Sequence, residues 1–123
     1  MNEIGKKNVV QDKSFGFALD IIKLYKKLVS DKKEFVLSKQ ILRSGTSIGA
    51  NIREAQNAES KIDFIHKLGI AQKENDETLY WLELLHGGGY IDSSEYDKYQ
   101  TQALELLKII RSIIISSKKN LKK

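Results

Sequence analysis

Residues 43–55 read RSGTSIGANIREA. Their composition, rich in glycine, serine, threonine and asparagine, is that of a loop. Their spacing is not. Ile41, Gly45, Ile48, Ile52 and Ala55 follow at intervals of 4, 3, 4 and 3, the period of one helix face. The repeat passes through both glycines, which a loop has no reason to preserve. The spacing therefore predicts a helix beginning near Phe35. An interior glycine destabilises a helix by about 1 kcal/mol relative to alanine. A pair at i and i+4, Gly45 and Gly49, offsets that if it lets another backbone approach closely, a logic best established in membranes.

Similar periods run on both sides. From about Ser14 to Val29, two apolar lines lie side by side: Phe15, Ala18, Ile22, Tyr25, Val29 and Phe17, Ile21, Leu24, Leu28. They predict a helix with a broad apolar face. SDKKE (30–34) reads as a polar connection. Ala58–Ser60 reads as a tight turn, with Ser60 as the N-cap of the next helix. That third segment, about 61–86, carries the stripe Phe64, Leu68, Ala71, Asn75, Thr78, Leu82, Leu85, with two polar residues in its middle. GGGY (87–90) is a helix stop. Asp92, Ser93 and Ser94 offer caps for a fourth helix. Its seam is Tyr96, Tyr99, Ala103, Leu106, Ile110, Ile113, with Leu104, Leu107, Ile109, Ile114 and Ile115 outside it. IIRSIII (109–115) is β-branched enough for a strand, but it continues the ALELLK pattern, which favours helix. The expected fold is all-α: an antiparallel up-down-up-down four-helix bundle. It fills one domain, 1–123, with 1–12 and 118–123 as flexible basic tails. Helices 1 and 4 are apolar over more than one face, which implies a subunit interface. Antiparallel geometry about the second turn sets Arg43 level with Asn75 and Asp76, and predicts that it pairs with the acidic group around them. Gln40, Asn51, Glu54, Asn75 and Thr78 are expected to form a buried polar network that fixes register.

The chain has 123 residues, no cysteine and no proline. Absent cysteine excludes disulfides and thiolate metal sites and fits a reducing cytosol. No apolar run approaches the roughly 20 residues that span a bilayer, and the N-terminal stretch lacks the apolar centre of a signal peptide. A cytoplasmic protein with no membrane partner is expected. The net charge of +5 is unevenly spread: residues 1–61 carry 12 Lys/Arg and 7 Asp/Glu, 62–97 carry 2 and 8, and 98–123 carry 7 and 1. Such asymmetry suggests a charged partner, RNA or DNA first. The bundle topology would gather Lys6, Lys7, Lys61, Lys118, Lys119, Lys122 and Lys123 at one pole, a candidate phosphate-binding surface.

Other chemistries fit poorly. Gly45–Gly49 lacks the Lys-Ser/Thr of a phosphate loop, and no strand precedes it. Glu83-Leu-Leu-His86 matches half of a di-iron motif and Asp63-Phe-Ile-His66 comes near. Both lie on one helix, about 30 Å apart at 1.5 Å per residue, so one subunit cannot join them on a metal. Ser44, Thr46 and Ser47 offer hydroxyls without a histidine base in reach, and mid-helix hydroxyls tend to bond back to the preceding turn. No catalytic residue, cofactor or metal is expected.

The motif Gln40-x-x-Arg43-Ser44-x-x-Ser47-Ile48-x-x-Asn51-Ile52-x-Glu54, followed by Ile70-Ala71-x-x-Glu74, resembles that of the bacterial four-helix bundle proteins. These are also called intervening-sequence proteins, because some are encoded in insertions within 23S ribosomal RNA genes. The resemblance covers nearly the whole chain. It implies a ring-like homopentamer and a non-enzymatic role. One branch of the family, the accessory variability proteins of diversity-generating retroelements, binds a reverse transcriptase and nucleic acid through a basic surface. The resemblance therefore implies self-association, with nucleic acid or a reverse transcriptase as possible partners. Gly49, where relatives often carry proline, and Glu54-Ala55, where many carry Glu-Gly, place the chain in a sub-branch.

Overall fold

The computed structural model describes residues 8–121. It contains four helices, α1 (Val9–Lys32), α2 (Leu37–Gln56), α3 (Lys61–Gly87) and α4 (Ser93–Leu121), and among the described residues no strand. Residues 109–115, the β-branched run, lie within α4. Each helix packs on the next, and α4 returns to α1. Contact register shows the directions. Lys13 meets Glu105 and Lys27 meets Glu95, so α1 and α4 run antiparallel. Arg43 meets Glu74 and Lys67 meets Glu54, so α2 and α3 do too.

Capping residues place the helix ends. Asn8 Oδ1 accepts from Gln11 N at 3.1 Å, and Ser60 Oγ accepts from Asp63 N at 3.0 Å. Asp92 and Glu95 cap α4 reciprocally: Asp92 Oδ1 accepts from Glu95 N at 2.8 Å and Glu95 Oε1 from Asp92 N at 3.2 Å. This is a capping box with an acid in each role. The glycine stop ends α3 at Gly87, and Gly89 turns the chain at φ +84°.

Part of the SDKKE connection is not solvated. α1 continues to Lys32, and Glu34 is buried. Its carboxylate accepts from the backbone N–H groups of Val36, Leu37 and Ser38 at 3.2, 3.0 and 2.7 Å. A helix start leaves N–H groups without intrahelical partners and favours negative charge. Burial alone would raise the Glu34 pKa, but these backbone donors outweigh it and hold it below the ordinary carboxylate value.

The glycine-bearing stripe of α2 faces the core, with Ile41, Gly45, Ile48, Ile52 and Ala55 all buried. A Cβ at Gly45 would stand 3.0 Å from two Ile21 carbons, and one at Gly49 would stand 3.3 Å from Ser14 Oγ and 3.5 Å from Ser14 O. Both glycines therefore admit α1. On α1 the buried line is Val10, Ser14, Phe17, Ile21, Leu24 and Leu28. The parallel line is only partly covered: Ala18, Ile22, Tyr25 and Val29 are half-buried, and Phe15 is 59% exposed. On α4, Leu107 and Ile114 join the core, correcting their placement outside the seam. A 3.6-residue repeat drifts past a strict 3–4 alternation, so both positions rotate inward.

Candidate nucleic-acid interface

The motif residues build the α2–α3 seam. The hydroxyls of Ser44 and Thr78, both buried, are hydrogen-bonded across it at 2.8 Å. At the edge, Arg43 spans Glu74, at 3.2 Å, and Glu77, whose carboxylate also accepts from Trp81 Nε1 at 3.0 Å. This is the acidic pairing expected from the level of Arg43. Ala71, on the same helix, is buried. The proposed five-residue network is corrected. Gln40 and Glu54 are exposed, Glu54 pairing with Lys67 at 2.9 Å. Asn51 Nδ2 donates to Ser47 O, one turn back on its own helix, at 2.9 Å. Asn75 is fully buried, and among the described residues neither of its amide atoms has a hydrogen-bond partner. Among the described residues, the buried side-chain hydrogen bond across the seam is therefore Ser44–Thr78.

The remaining hydroxyls of the opening stretch bond back along α2. Thr46 Oγ1 donates to Leu42 O at 2.7 Å and Ser47 Oγ to Arg43 O at 2.6 Å. His66 is exposed, and the His86 ring stacks on Tyr96 with centroids 4.5 Å apart. Among the described residues no cluster of three or more His, Cys, Asp or Glu could hold a metal. No helix there is long and apolar enough to cross a membrane.

Of the candidate phosphate-binding lysines, Lys6, Lys7, Lys122 and Lys123 lie outside the described residues. Lys61 opens α3, while Lys118 and Lys119 occupy the last turn of α4. All three are exposed, and the antiparallel path puts them at the same end of the molecule. That end is not uniformly basic. Glu59 and Asp63 share it with Lys61, the Asp63 carboxylate accepting from Glu59 N at 3.4 Å. A run of positive charge without acids lies on α4. Residues 106–121 include Lys108, Arg111, Lys118 and Lys119 and no acid. Glu105, one residue earlier, is held by Lys13 at 3.3 Å.

Sequence reasoning missed Lys108 and Arg111. Their signal was spacing: Leu104, Lys108, Arg111, Ile115 and Lys119 recur every three or four residues, so they share one side of the helix. They line a groove of about 540 Å³ on α4. A second groove, about 250 Å³, lies between α1 and α2 over Gly49, flanked by Phe15, Ala18, Thr46 and Arg53.

Residues 6–112 match the family model described as 23S rRNA-intervening sequence protein. The chain belongs to this family. It is similar to a crystal structure of a protein of unknown function from the S23 ribosomal protein family of Bacteroides thetaiotaomicron. The two share 58% identity, with a TM-score of 0.85 over 85% of this chain and 97% of that one. No protein of curated function matches the chain.

Proposed function

We propose that this intervening-sequence protein is a non-enzymatic, self-associating accessory protein that binds nucleic acid at the basic end of α4. The run of α4 without acids carries this reading. Lys118 and Lys119 at its tip, with Lys61 at the neighbouring start of α3, offer ammonium groups to phosphates, and each contact releases counterions. The family description, which ties such proteins to insertions in 23S ribosomal RNA, points the same way. Self-association is supported by apolar side chains left outside the core, Phe15 and Leu19 on α1 and Leu104 and Ile115 on α4. Exposed apolar surface, where it gathers into a patch, marks interaction sites. The pentameric ring is the form that the family resemblance implies.

Binding to a structured RNA should weaken steeply between low and moderate salt. Affinity that stays flat over that range would remove the nucleic-acid role. The groove between α1 and α2 favours a second reading, a structural adaptor for a protein such as a reverse transcriptase. Under that reading, a pull-down treated with nuclease would still enrich one protein.

A further inference from the structure

We propose that the groove on α4 docks the acidic face of α3 from a second copy of this chain. The inference rests on the self-association proposed above and names its surfaces. The groove is amphipathic in an ordered way. Leu104 and Ile115, 47% and 57% exposed, flank Lys108 and Arg111, and Lys119 follows one turn beyond Ile115. A polyphosphate would engage the two cations and leave both aliphatic side chains in water. A surface with acids beside apolar groups satisfies all four.

The same chain presents such a surface. On α3, Asp76, Tyr80 and Glu83 recur at intervals of 4 and 3, with Leu84 beside them, a single helix flank. All four are exposed, Tyr80 at 54%. The neighbouring acids of α3 are already engaged, Glu74 and Glu77 by Arg43. Among the described residues, Asp76, Glu83, Lys108 and Arg111 take part in no ion pair. The charge totals are opposite, 2 Lys/Arg against 8 Asp/Glu over 62–97 and 7 against 1 over 98–123. Each copy therefore offers both halves of one contact, as assembly from identical chains requires. Apolar groups supply the burial, and the charges select the partner and its register.

Charge reversal tests the contact. Arg111→Glu, Glu83→Lys, their double variant, and Lys26→Glu as a reversal away from both faces are compared with wild type by sedimentation velocity. Circular dichroism melts confirm that each is folded. Each single reversal in the contact should raise the dissociation constant at least tenfold and move the mass toward the 14.0 kDa monomer. The double variant should recover the wild-type mass, and Lys26→Glu should keep it. Ile115→Glu should dissociate the assembly as well.

Single reversals that leave the mass unchanged, while self-association persists, overturn this contact and spare the broader proposal. A double variant as dissociated as its parents overturns the pairing. Loss of oligonucleotide affinity in Arg111→Glu at unchanged mass assigns the groove to nucleic acid and likewise overturns it. A wild-type monomer removes both this contact and the self-association.

Discussion

Across the α2–α3 seam, a buried hydroxyl pair joins Ser44 to Thr78, and Arg43 bridges two carboxylates at the edge. Across the α1–α4 seam, the polar links among the described residues are two exposed lysine–carboxylate pairs and the Gln102 Nε2–Asp20 Oδ2 bond at 2.9 Å. That seam leaves a groove of about 390 Å³ along Lys13, Leu19, Asp20 and Gln102. The α2 side packs by shape beneath its smaller groove of about 250 Å³: Gly45 lets the Ile21 side chain into its seam with α1, and Gly49 lets the Ser14 backbone approach. The α4 side is closed by long, charged arms. Close packing fixes one arrangement, whereas exposed ion pairs contribute little. The surfaces proposed for nucleic acid and for the second copy lie on α4 and the outer face of α3, while the buried face of α2 sets the fold.

The sharpest way to break this contrast is Gly45→Leu. Its added carbons would drive into Ile21, and overpacking of about 1–3 kcal/mol should exceed the helix propensity gained. A fall in the denaturation midpoint is expected, and a rise would show that the close approach is dispensable. Asn75→Leu, on the buried stripe of α3, acts with the opposite sign. It replaces a buried amide without a partner by an apolar group of similar size, so urea unfolding should show a gain of about 1–2 kcal/mol. A loss would mean that the amide is satisfied.

Glu34→Gln should lower stability by about 1 kcal/mol, as loss of a helix N-cap does. Because the folded carboxyl titrates below its ordinary value, the wild-type advantage is complete above the ordinary carboxylate range. It is lost as pH falls through the lower folded value. Melts of both proteins at neutral and acid pH should converge on acidification; a constant gap would contradict the cap. The smallest effect is expected on the opposite seam, where Lys13→Met should change stability by less than about 0.5 kcal/mol. A larger loss would erase the distinction between the seams.

How far the sequence could be read follows the same division. The α2 stripe and the caps at Ser60 and Asp92 are local and periodic, so spacing was enough to find them. The pairing of Arg43 needed only antiparallel level. The two apolar lines of α1 are equally hydrophobic, and only packing shows that the Phe17 line is inside. Glu34 sits in a run of charges, and its role depends on N–H groups that composition does not reveal. Gln40 and Glu54 belong to the motif yet face solvent, so motif membership did not predict burial. The lysines named for phosphate binding clustered at the chain ends, whereas Lys108 and Arg111 sit within an apolar helix pattern that masked them.

The most direct test of the nucleic-acid assignment is the salt dependence of oligonucleotide affinity for wild type and a Lys118→Gln/Lys119→Gln variant. Each duplex phosphate contact contributes about 0.9 to the slope of log affinity against log salt. The variant should therefore bind more weakly at low salt, with a slope reduced by about 1.8. Equal affinity and equal slope in the two proteins would contradict an interface at the tip of α4.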